Sequence, residues 1–241
     1  MRRCFWILLA LLGFLSSAAL ADQNALEQVD HLYLERDQPP KEQMGLDLLR
    51  RELAANPRND EVLWRLARAL KWEGDQKTES AEKIKLYKQA ADTATKGVEA
   101  NPRSVGSHFW LGVGLGKIGQ TQGILRSLFL VDPIKKEMET VLSLDPKNDG
   151  AHLVLGVMYR KLPGFWGGSN KRSLAELMQA VSANPRSTLN HLELANTYLE
   201  EGKKQEARTE LRSILDIPDP VDPVEARKDK REAAQMLDRL R

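Results

Sequence analysis

The chain has 241 residues, of which 41% are hydrophobic and 29% are charged, and this composition is typical of an ordered protein rather than a disordered tail. Its 36 Lys and Arg residues nearly balance its 34 Asp and Glu residues. The sequence therefore lacks the strong basic excess of a general nucleic-acid-binding protein, and we expect no nucleic-acid partner.

The first 21 residues have the features of a signal peptide. The basic pair Arg2-Arg3 precedes an apolar stretch from Phe5 to Leu15, and Ala19-Leu20-Ala21 is typical of a cleavage site. This stretch is shorter than the roughly 20 residues that a transmembrane helix needs. We expect cleavage after Ala21, a periplasmic or secreted protein, and no membrane span after cleavage. An uncleaved N-terminal anchor is the alternative.

The only cysteine, Cys4, lies within this segment, so the cleaved chain would contain none. Disulfides, thiolate metal sites and cysteine nucleophiles are then excluded. Cleavage would also remove Arg2 and Arg3, the only charges among the first 21 residues, and would leave 34 residues of each sign.

The predicted elements begin with two helices, around Leu26–Glu35 and Lys41–Ala55, which we interpret as a degenerate leading repeat over residues 22–57. Four helix-like segments then end in a similar way, on a proline preceded by Asn or Asp. Because proline has no amide hydrogen and a fixed φ angle, it ends one helix and can open the next. The four endings are Ala55-Asn56-Pro57, Ala100-Asn101-Pro102, Leu144-Asp145-Pro146 and Ala183-Asn184-Pro185.

The same apolar spacing follows each of these prolines and places its residues on one helical face. A small Gly or Ala stands at the same place in every copy, where it allows a neighbouring helix to approach. The four copies are Leu63-x2-Leu66-Ala67-x2-Leu70, His108-x2-Leu111-Gly112-x2-Leu115, His152-x2-Leu155-Gly156-x2-Tyr159 and His191-x2-Leu194-Ala195-x2-Tyr198. A second helix precedes each closing proline, with Ala94, Met138, Leu177 and Leu211 at equivalent positions.

This pattern resembles the tetratricopeptide repeat, W-x2-L-G-x2-Y…A-x3-F…P, with a period of about 34 residues. The resemblance implies an all-α fold, a right-handed superhelix of stacked helix–turn–helix repeats. The repeats are expected at residues 58–102, 103–146, 147–185 and 186–218, and residues 219–241 are expected to form a capping helix.

Three histidines stand where the family has tryptophan: His108, His152 and His191. Equivalent positions on stacked helices are about 8–10 Å apart, so three such nitrogens cannot meet at one metal ion. We interpret the histidines as packing residues and predict no metal site. The sequence also lacks a G-x-S-x-G elbow and a phosphate-binding loop with its lysine. We predict no enzymatic activity and no cofactor.

In the tetratricopeptide family, the first helix of each repeat lines a concave groove. Much of the corresponding strip in this chain is apolar, and an exposed strip of this length is expected to be covered by something. A partner's helix or extended peptide, an apolar small molecule, and the chain itself, through its helix 224–241, are the open alternatives. The strip consists of Glu61, Trp64, Arg68 and Lys71; Gly106, Phe109, Val113 and Gly116; Gly150, Leu153, Val157 and Arg160; and Leu189, Leu192, Asn196 and Leu199.

Repeats two and three carry insertions between their helices, from Gln120 to Val131 and from Leu162 to Ser169. Equivalent turns of a solenoid lie on the same edge, so we expect the insertions to be neighbours. We call Phe129, Phe165 and Trp166 the edge lip. We expect them to pack together over this edge, with a lip over a binding groove as the alternative.

The extra length of the first three repeats also resembles proteins of the regulator-of-microtubule-dynamics type, particularly at Gly119 and Gly123-Ile124. Because the N-terminal segment indicates export, no microtubule role is inferred. More faintly, this half is similar to repeat proteins of periplasmic solute-uptake systems that are thought to hold hydrophobic ligands.

The leading hypothesis is an exported, non-enzymatic scaffold that binds another protein or peptide in the groove. Trp64, Phe109, Leu153 and Leu192 would anchor the partner beside Val113 and Val157, and Arg68 and Arg160 would orient it. The first alternative is a carrier or chaperone-like module for a hydrophobic small molecule, with a closed cavity under the edge lip. The second is a structural spacer whose inner strip is self-occupied.

Overall fold

The structure is a computed structural model that describes residues 23–240, except the side chains of residues 124 and 125. The predicted signal peptide lies outside the described residues. Every regular element within residues 23–240 is helical, which confirms the predicted all-α fold. The helices are α1 (residues 23–34), α2 (Lys41–Ala55), α3 (Asp60–Gln76), α4 (Ser80–Ala100), α5 (Val105–Gln122), α6 (Ile124–Ser127), α7 (Val131–Leu144), α8 (Asp149–Lys161), α9 (Asn170–Ala183), α10 (Thr188–Glu200), α11 (Lys204–Asp216) and α12 (Pro223–Arg239). Short 3-10 turns cover Leu128–Leu130 and Gly164–Trp166.

The helices after α2 pack as consecutive pairs: α3 with α4, α5 with α7, α8 with α9, and α10 with α11. We call the first member of each pair the A helix and the second the B helix. Each B helix also packs against the next A helix, and consecutive A helices contact one another. The last helix, α12, packs against α10 and α11. This is the one-directional stack that the resemblance implies.

The turn that opens each A helix follows a short sequence rule. Two residues after each turn proline stands Asn or Ser, and its side chain accepts backbone N–H bonds from the first turn of the helix. Such an N-cap stabilises a helix by about 1 kcal/mol relative to alanine. Proline therefore ends the B helix, and the cap starts the next A helix. The four caps are Asn59, Ser104, Asn148 and Ser187.

The small residue of each A helix lets its own B helix approach closely. A Cβ atom at Gly112 would lie 2.4 Å from Met138, and one at Gly156 would lie 2.6 Å from Leu177. Met138 and Leu177 are fully buried, as are the equivalent Ala94 and Leu211. The predicted role of these positions in close helix packing is confirmed.

The A-helix histidines connect three parts of each repeat. In repeat four, His191 Nε2 lies 3.1 Å from the carbonyl oxygen of Pro185, and its Nδ1 lies 2.6 Å from the carboxylate of Glu210 on the B helix. Each ring thus joins the proline turn to the partner helix. The packing role predicted from sequence is therefore incomplete, because these rings are also hydrogen-bonded links. The corresponding sets in repeats two and three are Pro102, His108 and Glu137, and Pro146, His152 and Glu176.

The two ends of the described chain meet through Arg36, which follows α1. Its guanidinium forms two hydrogen bonds with the carboxylate of Asp222, at 3.0 and 2.8 Å, and stacks between the rings of Tyr33 and Trp72. Asp222 also caps α12 by accepting two backbone N–H bonds. We call the Arg36–Asp222 pair the clasp, because it joins the leading helices to the capping helix across the stack.

Candidate functional site

The aromatic residues predicted on the inner strip span consecutive A helices. A Cβ atom at Gly106 would lie 2.6 Å from the ring of Trp64, and one at Gly150 would lie 2.6 Å from the ring of Phe109. Glycine is therefore required at both positions, because each ring rests on the backbone of the next repeat. Trp64 and Phe109 remain partly exposed.

Further along the strip, Val113, Leu153 and Val157 are also partly exposed. They lie on α5 and α8, the A helices of repeats two and three. These three side chains and Phe109 are the predicted partner-binding positions that the fold leaves accessible at the centre of the stack.

The structure pairs the two arginines predicted to orient a partner. Arg68 donates a 2.6 Å hydrogen bond to Asp30 and stacks on the ring of Tyr33. Burial alone would raise the pKa of Asp30, but the hydrogen bonds and charges of Arg65 and Arg68 outweigh it and hold that pKa below its usual value. Because Arg68 is engaged inside the protein, the prediction that it orients a partner is wrong.

The same correction applies to Arg160. Its side chain is 4% exposed, and its guanidinium forms ion pairs with Glu193 and Glu200 on α10. It joins repeat three to repeat four and is not available to a ligand.

Leu192 is buried as well, at 4% exposure, in a cluster with Leu211 of α11 and Met236 of α12. The capping helix therefore covers the predicted strip at repeat four. The self-occupied alternative holds there, and Leu192 is not an accessible anchor.

A polar cluster lies at the C-terminal ends of α3 and α5. The carboxylate of Asp75 accepts a 2.7 Å hydrogen bond from Tyr87 and forms ion pairs with two ammonium groups, Lys71 at 2.6 Å and Lys117 at 3.0 Å. Burial and the charge of Lys71 lower the pKa of Lys117, despite the opposing attraction of Asp75. Glu225 of α12 also attracts both ammonium groups, and the cluster borders an open polar cleft of about 410 Å³.

The edge lip is strongly exposed. Phe129 is 83% exposed, Phe165 is 86% exposed and Trp166 is 50% exposed. The rings of Phe165 and Trp166 contact each other, with centroids 6.4 Å apart, but the expectation that the lip packs over the edge is wrong, because Phe129 and Phe165 face solvent. A short turn can direct an apolar side chain either way: within Leu128–Leu130, Leu130 packs inward against Tyr87 and Ile134 while Phe129 points out.

Comparison with known proteins agrees with this architecture. The family model described as "Regulator of microtubule dynamics protein 1-3" matches residues 25–162, which is more than half of the chain. The chain belongs to this family. Regulator of microtubule dynamics protein 3 of Rattus norvegicus is 25% identical over 228 residues, covering 84% of this chain and 48% of that protein. Regulator of microtubule dynamics protein 1 of Bos taurus is 26% identical over 232 residues, covering 89% of this chain and 71% of that protein. The chain spans about half the length of the protein 3 relatives.

Two solved structures show the same fold. TTC0263, described as a thermophilic TPR protein in Thermus thermophilus, aligns with a TM-score of 0.67 at 21% identity and covers 89% of this chain and 99% of its own. PilW, described as a widely conserved type IV pilus biogenesis factor, aligns with a TM-score of 0.56 at 16% identity and covers 79% of this chain and 76% of its own. The tetratricopeptide-type superhelix is therefore confirmed.

Sequence reasoning missed the partners of the buried charges and of the histidines. The partners of the buried arginines lie on other helices, as Asp30 does for Arg68, 38 residues away. The histidine partners had a signal in the repeat register, because each Glu immediately precedes the aligned B-helix residue Met138, Leu177 or Leu211. Two further findings concern function: no group of His, Cys, Asp and Glu within residues 23–240 could hold a metal ion, and no helix there is long and apolar enough to span a bilayer.

Proposed function

We propose that this family member is an exported scaffold and not an enzyme, and that it binds another protein. The observation that carries the proposal is the partly exposed apolar strip of Phe109, Val113, Leu153 and Val157 on the A helices of a tetratricopeptide-type stack. Apolar side chains on an inner helix face accept the anchor residues of a docked helix or extended peptide.

Charge near this strip favours a particular kind of partner. Lys71 and Lys117 pair with the carboxylate of Asp75 and are also attracted by Glu225 of α12, whereas α5 itself contains no acidic residue. A peptide that places apolar side chains against Phe109 and Val113, and a carboxylate towards Lys117, would complement both features. The proposed partner is therefore a segment with apolar anchors next to an acidic residue.

Site-specific photo-cross-linking in whole cells tests this proposal. A photo-reactive residue at Val113 is expected to give one discrete protein adduct, whereas the same residue at Lys88, exposed on the B helix α4, is expected to give none. Leu153→Glu should abolish the Val113 adduct while circular dichroism shows unchanged helicity. The reason is that a docked partner would bury the new charge at this anchor position, which is unfavourable. The same adducts at both positions, or an adduct that survives Leu153→Glu, would contradict groove docking.

Export is proposed from the residues up to Ala21, and the intact mass of the chain recovered from those cells tests it, since cleavage would leave Asp22 first.

The relatives are named for microtubule dynamics, but we propose no microtubule partner, because export would remove the chain from the cytosol. One described cavity, of about 20 Å³, lies beside Leu49, and the other is the polar cleft. Neither is a closed cavity under the edge lip. No observation favours the small-molecule carrier.

A further inference from the structure

The edge lip presents aromatic rings that the fold does not use. Large apolar side chains with exposure as high as that of Phe129 and Phe165 contribute almost nothing to a core. Both lie in insertions that join an A helix to its own B helix, so both project from the edge of the stack where these turns lie. Exposed apolar groups gathered on one edge are typical of a surface that binds something.

The turn that carries Phe165 and Trp166 is a built structure rather than a loose loop. Backbone hydrogen bonds of 2.8 to 3.1 Å close it, ending with Ser169 N–H donating to the carbonyl of Tyr159. Gly167 has a φ angle of 88°, and a Cβ atom at Gly168 would lie 1.8 Å from the carbonyl oxygen of Leu162. Glycine is therefore needed at two successive positions for a turn that holds both rings outward.

The charged residues near the lip along the chain are mostly basic. Although the chain contains 34 acidic residues, none lies between residues 100 and 131 or between 150 and 175. Within the described part of the chain, the exposed Arg126, Lys161 and Lys171 form no ion pair. The nearest acids along the chain are Asp132, just after the first insertion, and Glu176. The insertions that carry the aromatic rings are thus flanked by three exposed, unpaired cations, with Glu201 the acid that reaches Asn170 from α10–α11.

We propose that the edge lip docks the protein on an anionic membrane surface. Aromatic rings partition into the interfacial region of a bilayer, and Lys and Arg bind anionic headgroups there while their methylene chains contact the apolar region. Rings that protrude into solvent suit a deformable lipid surface better than a protein interface, whose anchors cluster in one packed pocket. This mode of binding needs no spanning helix and uses a different surface from the proposed groove.

Vesicle flotation tests the proposal with a chain that begins at Asp22, which contains the whole described fold and lacks the apolar N-terminal segment. We expect binding to phosphatidylcholine vesicles with about 30% phosphatidylglycerol, weak binding to phosphatidylcholine alone, and release as salt screens the attraction. The double variant Phe165→Ala/Trp166→Ala should bind at least about tenfold more weakly, since each ring buries apolar area in the interface.

Matched controls separate docking from general effects. Met178→Ala/Leu215→Ala removes two other exposed apolar side chains, 53% and 39% exposed on B helices, and should leave binding unchanged. Lys161→Glu/Lys171→Glu should abolish binding to anionic vesicles. Lys96→Glu should leave binding intact, because Lys96 is exposed near the C-terminal end of α4, away from the insertions along the chain.

Several results would overturn the proposal. These are equal binding by the lip variants and their controls, binding that ignores headgroup charge, or lip variants that change only the oligomeric state or the Val113 cross-link. The last result would assign the lip to a protein interface. Loss of the Val113 adduct alone would refute groove docking and leave membrane docking unaffected, so the two failures are distinguishable.

Discussion

His191 occupies a position where the tetratricopeptide pattern has a large apolar residue, yet both of its ring nitrogens face hydrogen-bond acceptors. The imidazole and Glu210 are nearly buried, with side-chain exposures of 8% and 19%. A polar group in such a place stabilises the fold only while its partner is present, because an unpaired buried carboxylate keeps its desolvation cost. The repeat therefore depends on the pair and not on the volume of the ring.

His191→Phe tests this dependence, because it restores the apolar character of the family pattern. We expect the variant to lose about 2–3 kcal/mol of unfolding free energy in urea titrations at pH 7, since Glu210 is left without its partner. His31→Phe, on the exposed face of α1, is the control and should change stability by less than about 0.5 kcal/mol. A His191→Phe protein as stable as the wild type would show that the ring serves packing alone.

The capping helix α12 packs on α10 through a buried polar contact as well as through apolar side chains. Thr188 donates a 2.6 Å hydrogen bond to Asp229, which is 2% exposed. Burial raises the pKa of Asp229 to about 6, nearby Glu225 and Glu232 add to the effect, and the hydrogen bond opposes it. The ionised carboxylate is thus less favourable in the folded protein than in the unfolded chain.

The pH dependence of this helix follows from the direction of the shift. The unfolded chain loses the proton of Asp229 near its ordinary value of 3.8 and the folded protein near 6, so stability falls as pH rises between these values. A shift of about two pKa units corresponds to about 3 kcal/mol. Asp229→Asn keeps an acceptor for Thr188 and removes the charge.

Urea titrations from pH 4 to pH 8 measure this effect. Relative to the wild type, Asp229→Asn should gain stability as pH rises, by up to about 3 kcal/mol at pH 7. Asp92→Asn, exposed on α4, controls for the change in net charge. An Asp229→Asn difference that is constant with pH would mean that the carboxylate is ionised at equal cost in both states.

The helices were predictable because their signals are local. A turn proline, a cap two residues later and a 3-then-4 apolar spacing recur within each copy, and they place α3 to α11 in pairs. The burial and the partners of individual side chains depend on tertiary contacts instead. Arg68 and Arg160 have the periodicity of groove positions, but Asp30 and Glu193 are within reach only after the repeats stack. Equally, the composition of the second insertion does not reveal that its glycines turn Phe165 outward.

The clasp gives the stack a contact that its repeat architecture does not supply. In a linear solenoid each repeat contacts only its neighbours, so the two ends are energetically independent. Here Arg36 is bound to Asp222 and lies 3.6 Å from Glu225, and Arg227 of α12 pairs with Asp37. Opening at either end therefore exposes charges that the other end had paired, and this couples the leading helices to the capping helix.

Arg36→Ala should uncouple the two ends. The variant removes a guanidinium with a 2% exposed side chain that is bidentate to Asp222 and stacked on two rings, and we expect a loss of about 2–4 kcal/mol. In hydrogen exchange monitored by mass spectrometry, amides of α1, α2 and α12 should exchange faster together, while those of α8 and α9 stay protected.

Arg186→Ala is the control, because the side chains of Arg186 and its partner Asp219 are 58% and 81% exposed and their pair contributes at most about 1 kcal/mol. If both variants exchange alike, or if only α1 and α2 respond to Arg36→Ala, the clasp is a local contact and the ends of the stack are independent.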